Sequence, residues 1–188
     1  MLYIRKFAFN AFRQKQWIAQ TFLFEEDFCV GVTDLYKYHT TAVGGTFDHI
    51  HLGHKALLRR AFETSQIVVI GLTSDTYAAS EGKKIEHDFE FRKAQLIKFL
   101  GAAYPGRKYL ITKLESKFGA GIFTKGIEAI VVSTETLPSV KSANLKRTLS
   151  GIPEMKVEVV PMVVARDRSR ISSTRIRAGE MDEEGNLK

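Results

Sequence analysis

The sequence predicts an α/β fold: a five-stranded parallel sheet with helices on both faces. Two observations lead to it. From about residue 39 onward, short β-branched or wholly apolar runs alternate with segments of helical spacing. The first of these runs leads straight into a glycine turn and a helix start, Gly44-Gly45-Thr46-Phe47-Asp48-His49-Ile50-His51-Leu52-Gly53-His54.

The elements follow in order. Thr40, Thr41, Ala42 and Val43 carry a first strand over 39–44. Ala56, Leu57, Leu58, Ala61 and Phe62 carry a helix over 52–64. Residues 67–72 are apolar throughout and read as a strand buried on both faces. A polar loop with Gly82, Lys83 and Lys84 comes next. Phe91, Ala94, Leu96, Ile97 and Leu100 have helical spacing over 90–100. A third strand is expected over 108–114, a turn at Gly119 and Gly121, and a fourth strand over 129–133. Ser139 is expected to cap a helix to Leu149, which Gly151 and Pro153 close. A fifth strand is expected over 157–164, and Ser172 caps a last short helix through Arg177. The domain so defined covers 39–180, with 181–188 as a C-terminal tail. Ligands of such sheets bind beyond the carboxyl ends of the strands. That rule gathers the loops 44–54, 73–84, 133–138 and 165–174 on one edge.

Residues 1–38 stand apart as an N-terminal extension. They hold Phe7, Phe9, Phe12, Trp17, Phe22, Phe24 and Phe28 with no clear period. The segment reads as a packed extension, a mobile tail, or residues upstream of the functional start. Arg5, Lys6, Arg13 and Lys15 break the apolar stretch that a signal peptide needs, so a cytoplasmic location is expected. No apolar run approaches the ~20 residues that span a bilayer, and no membrane partner is expected. The single cysteine, Cys29, excludes an intramolecular disulfide and a cysteine-rich metal site. Of the 188 residues 44% are hydrophobic and 26% charged, as in an ordinary globule. The net charge of +7 favours an anionic partner, either nucleic acid or a small phosphate-rich substrate.

The glycine turn favours the phosphate-rich substrate. Gly44 and Gly45 let backbone approach a ligand that a side chain would keep away. Helix N-termini present N–H groups without partners, and the helix dipole adds positive potential there. Such a place binds phosphate. His51 and His54 stand at that helix start. Ser172, Ser173 and Thr174 stand at another, with Arg177 one turn on and on the same face. Two histidines three residues apart with no third ligand do not make a zinc site.

The run from Gly44 to His54 resembles the first signature of the nucleotidyltransferase superfamily that shares the HIGH motif with class I aminoacyl-tRNA synthetases. Ile171-Ser172-Ser173-Thr174-Arg175-Ile176-Arg177 resembles its second signature. The two lie about 120 residues apart and bracket the alternating pattern. The loop Val132-Ser133-Thr134-Glu135-Thr136 is similar to that of the archaeal and eukaryotic type of phosphopantetheine adenylyltransferases. The resemblance covers about Thr40 to Gly179 and implies the Rossmann-like nucleotidyltransferase fold.

It also implies a reaction. ATP gives its adenylyl group to 4′-phosphopantetheine, forming dephospho-coenzyme A and pyrophosphate, with magnesium riding on the ATP phosphates rather than in a protein cage. His54, His51 and Lys83 are then the catalytic candidates. Gly45, Thr46, Phe47, Ser133, Thr134 and Glu135 are expected at ATP, together with Ser172, Ser173, Thr174 and Arg177. Thr46, Lys83 and Arg92 are expected at phosphopantetheine. Lys83 is preferred over Lys84 because the family lysine stands nine residues before an arginine, here Arg92. Relatives of this subtype are expected to be monomers, and an oligomer built on the aromatic N-terminal segment is the alternative. A sister transferase acting on NMN, FMN or a phospho-alcohol is the second reading of the function, and a basic nucleic-acid-binding module the third. The chain has Gly-Gly-Thr-Phe where sister NMN enzymes have Gly-Arg-Phe, and no nucleic-acid partner is expected.

Overall fold

A computed structural model describes residues 35–119 and 121–188. The expectations for the aromatic segment 1–34, Cys29 among them, lie outside the described residues. Five strands form one sheet in the order β3-β2-β1-β4-β5, and each neighbouring pair is parallel. In chain order they are β1 Tyr38–Gly45, β2 Ser65–Thr73, β3 Lys108–Leu114, β4 Ala129–Ser133 and β5 Lys156–Val160. The helices are α1 Leu52–Thr64, α2 Asp75–Ser80, α3 Phe89–Ala103, α4 Leu137–Leu149 and α5 Ser173–Arg177.

Strand periodicity sorts the core into two layers. Val43 and Val131 point to one face with Leu58, Phe62, Leu96 and Leu100 of α1 and α3. Their neighbours Ala42, Ile130 and Val132 point to the other face with Val140 and Ala143 of α4. Val68, Ile70 and Leu72 of β2 are fully buried on the α1 side. Ile67 and Val69, on the opposite side of β2, are only half-buried, so this strand is less covered than its apolar sequence suggests. The sheet grows outward from β1 in one direction through β2 and β3, and from β1 in the other through β4 and β5. The strand order therefore reverses between β1 and β4, and their carboxyl ends frame a crevice.

The elements differ in places from the sequence expectations. The loop after β2 contains the short helix α2, capped by Ser74, whose Oγ accepts from the Tyr77 N–H at 3.1 Å. Helix α4 begins at Leu137 rather than after Ser139, because Pro138 in its first turn already has the helical φ. Strand β5 stops at Val160 because Pro161 lacks the N–H that a further ladder bond requires. The residues expected as a tail, 181–188, pack onto the domain. Met181 is fully buried, and the Glu183 carbonyl accepts from the Leu52 N–H at 3.0 Å.

A buried carboxylate ties β5 to the start of β1 and to α1. Glu158 of β5 accepts from Lys37 Nζ at 2.7 Å, Tyr38 Oη at 2.8 Å and the Arg60 guanidinium at 2.6 Å. Burial pushes its pKa up, but these three donors outweigh burial and hold it at about 2. A carboxylate with a depressed pKa stabilises the fold above its unfolded value of 4.5 and loses that contribution as pH falls through the folded value. Acid unfolding is therefore expected to draw on this cluster between pH 4.5 and about 2. In Glu158→Gln, a denaturant titration at each pH should give a flatter stability profile across that window. An unchanged profile would remove Glu158 as the source.

Candidate active site

The loops that follow β1, β2, β4 and β5 surround a cavity of about 800 Å³ at the carboxyl edge of the sheet. It spans the point between β1 and β4 where the strand order reverses. Gly45, Thr46, His51 and His54 line one side. Ser172, Ser173, Thr174 and Arg177 line another, and Ser133 and Glu135 come from the loop after β4. Two stretches about 120 residues apart in sequence thus meet at one cavity.

The first loop owes its shape to Phe47, which sits at φ +50°, in the left-handed region that a bulky residue rarely adopts. The surrounding packing holds it there. Its ring is buried, and its centroid lies 4.8 Å from that of His54. A Cβ on Gly45 would meet that ring at 3.0 Å, so the glycine makes room for the turn as much as for a ligand. Phe47 does not line the cavity; its ring is packing, and only its backbone remains a ligand candidate.

His51 is the N-cap of α1. Its Nδ1 accepts from the Gly53 N–H at 3.1 Å. A Cβ on residue 53 would meet the His51 Cε1 at 3.0 Å, so the glycine between the histidines accommodates this fold-back. The next N–H, on Leu52, donates to Glu183. The expectation of unpartnered N–H groups at this helix start is thereby corrected for two of them. Leu52 and Gly53 are both satisfied inside the protein. The His54 Nδ1 stands 2.9 Å from the His49 carbonyl oxygen and donates to it. The two imidazoles stack with centroids 3.9 Å apart. Burial is the main cause that lowers both, to about 3 for His51 and about 4 for His54. Arg170 adds to the depression of each, and His54 to that of His51.

Asp48 is more than the turn-former its position suggests. Its buried carboxylate accepts from the Glu86 N–H at 3.0 Å and the His87 N–H at 3.1 Å. It also accepts from the His87 ring at 3.1 Å and from Arg177 Nη1 at 2.8 Å. Burial pushes the carboxyl up, but these donors hold it below the usual carboxylate range. One side chain thus joins the loop before α3, the first signature and the second signature. Arg177 is correspondingly not a loose cation, since it also bonds Thr174 Oγ1 at 3.3 Å. Asp48, His49 and His87 place ligand-type atoms within 4.8 Å of one another. Both Asp48 oxygens and the His87 Nδ1 are already bonded, so the cluster acts as a strut rather than as a preformed cation cage.

Arg92, expected beside Lys83 as a phosphate ligand, is corrected by the geometry. It is fully buried and does not line the cavity. Four N–H groups of its guanidinium are taken up by the carbonyls of His87, Thr46 and Thr73 and by Asp75 Oδ1. It holds the wall from behind. Lys83 and Lys84 both line the cavity and are both exposed. Lys117 joins them, a cation that no motif marks. Thr134 is exposed and does not line the cavity; its N–H donates to the Val160 carbonyl at 3.3 Å. Glu135 pairs with Arg170 at 2.6 Å, which links the loop after β4 to the segment before α5. Of the three arginines just before the second signature, Arg170 lines the cavity, whereas Arg166 and Arg168 do not.

A parallel sheet that carries a histidine-bearing helix start and a Ser-Ser-Thr helix start across its switch point defines a nucleotidyltransferase. The chain belongs to the cytidylyltransferase-like family, whose model matches residues 42–179. It is similar to a phosphopantetheine adenylyltransferase of Pyrococcus furiosus, 44% identical over 152 residues, which cover 80% of this chain and 94% of the relative. A phosphopantetheine adenylyltransferase of Methanopyrus kandleri is 39% identical over 152 residues, covering 81% and 96%. Among solved structures, a protein of unknown function from Archaeoglobus fulgidus superposes with a TM-score of 0.57 at 26% identity, covering 71% of this chain and 99% of that one. Among the described residues, no helix is long and apolar enough to cross a membrane.

Proposed function

We propose that this protein transfers the adenylyl group of ATP to 4′-phosphopantetheine, releasing pyrophosphate and dephospho-coenzyme A. The observation that carries the reading is the meeting of both signatures at one cavity, in a chain whose relatives bear that enzyme's name. The acceptor phosphate attacks the α-phosphorus in line, its P–O bond forms as the bond to pyrophosphate breaks, and no bond to the enzyme is made. The protein's task is positioning and charge stabilisation. His51 and His54 face the triphosphate. Ser172, Ser173 and Thr174 offer hydroxyls to the leaving phosphates, with Arg170 beside them. Thr46 and a lysine of the 82–84 loop hold the attacking phosphate. Ser133 and Glu135 stand on the nucleoside side. The carboxylates fit magnesium that arrives with ATP and keeps its waters, since Asp48 and Glu135 are already paired with arginines.

A steady-state assay with ATP and either phosphopantetheine, NMN or FMN tests the acceptor. Dephospho-coenzyme A formation supports the reading, and turnover of NMN or FMN alone would replace it. The lysine is tested in the same assay. Lys83→Ala is expected to raise KM for phosphopantetheine about tenfold or more, as loss of a charge-assisted contact does, with KM for ATP little changed. A larger effect from Lys84→Ala would move the role by one residue.

A further inference from the structure

The two signature histidines are held by opposite hydrogen bonds, and this fixes what each can offer an anion. The Gly53 N–H is a donor, so the His51 Nδ1 that receives it at 3.1 Å carries a lone pair. Neutral His51 therefore bears its proton on Nε2. The His49 carbonyl is only an acceptor, so the His54 Nδ1 beside it at 2.9 Å bears the proton. Neutral His54 then presents a lone pair at Nε2. Both rings line the same cavity, and neither Nε2 has a partner among the described residues. A lone pair facing a phosphate oxygen is repulsive. We infer that His51 is the standing Nε2–H donor of this site, and that His54 becomes a donor only by taking up one proton as a triphosphate binds. This rests on the proposed reading of the cavity as an ATP site.

The surroundings allow one added proton and resist two. A second proton would have to displace the Gly53 N–H from His51 Nδ1 and would place two imidazoliums 3.9 Å apart. Lys55 on α1 and Arg170 before α5 oppose a charge on the pair, as does a protonated His49. Asp48, in the loop after β1, favours a charge on His54. His49 itself lies 2.9 Å from Glu86 and 3.8 Å from Glu183. Burial lowers His51 to about 3 and His54 to about 4, which keeps both neutral near pH 7. A triphosphate brings several negative charges into the same space and reverses that balance for the ring whose Nε2 can accept.

Calorimetric titration of the full-length chain with ATP and Mg²⁺ tests this, run near neutral pH in buffers of different ionisation enthalpy. Uptake of roughly half to one proton per nucleotide is expected. His51→Asn, whose amide oxygen can still cap Gly53, should keep the uptake, and His54→Asn should lose it. Nitrogen-15 spectra of the histidine rings provide a readout that needs no variant. Nε2–H at one ring and Nδ1–H at the other are expected without nucleotide, and a doubly protonated His54 with it. ATP binding with no proton uptake, uptake that survives in His54→Asn, or the same tautomer at both rings would overturn the inference and leave the proposed function standing. No ATP binding at all would overturn both.

Discussion

Replacing His54 with alanine is expected to lower kcat/KM for adenylyl transfer by on the order of 10²-fold or more, with the fold intact. Charge builds on the phosphates as pyrophosphate departs, and a preorganised donor that strengthens with that charge acts on the transition state more than on the ground state. The ring is well placed for this. One nitrogen is anchored to the His49 carbonyl and the ring stands between Phe47 and His51, so once Nε2 carries a proton little reorganisation is left to make. The fold has other supports. The cap of α1 comes from His51, and alanine suits a helix interior better than histidine does. Steady-state kinetics beside a thermal melt separate the two effects. Near-normal turnover in a folded variant would remove His54 from the chemistry.

The sheet was legible because its signals are local. The β-branched and apolar runs of β1, β2 and β4 and the helical spacing of α1 and α3 are visible in windows of a few residues, and the alternation of Ala42 and Val43 between two core layers follows from strand geometry alone. The second signature was legible because Ser172 sits at a helix cap, a position its side chain favours. What escaped is pairing at long range. Asp48 and Arg177 lie 129 positions apart, and no local pattern announces a bond between them. His51 looked like a ligand alone, yet its Nδ1 caps its own helix, a role that histidine rarely plays. Lys117 reaches the cavity from a segment without a motif. Helix α2, six residues long, is too short to show a period.

Arg92 shows how spacing can mislead and gives the other large effect. Arginine nine residues after Lys83 fits the family pattern, but this guanidinium has no exposure. It draws together three segments: Thr46 after β1, Thr73 and Asp75 at the end of β2 and the start of α2, and His87 before α3. Arg92→Met keeps the length and the apolar stem but strips four acceptors of their donor, one of them the Asp75 carboxylate. Removing one partner of a buried charged network costs about 3–5 kcal/mol, because the groups left behind stay desolvated or drag water inward. For a domain of this size that lowers Tm by on the order of 10 °C. Asp75 softens the loss by being 44% exposed on its side chain, whereas the carbonyl of Thr73 has no such outlet. Calorimetry of Arg92→Met and Arg92→Lys decides between wall and ligand. A wall residue predicts a large fall in Tm for Met, a smaller one for Lys, and loss of affinity for ATP and acceptor together, because Thr46 and the 82–87 loop shift as one. A phosphate ligand predicts an unchanged Tm and a rise in acceptor KM alone, and that result would return Arg92 to the site.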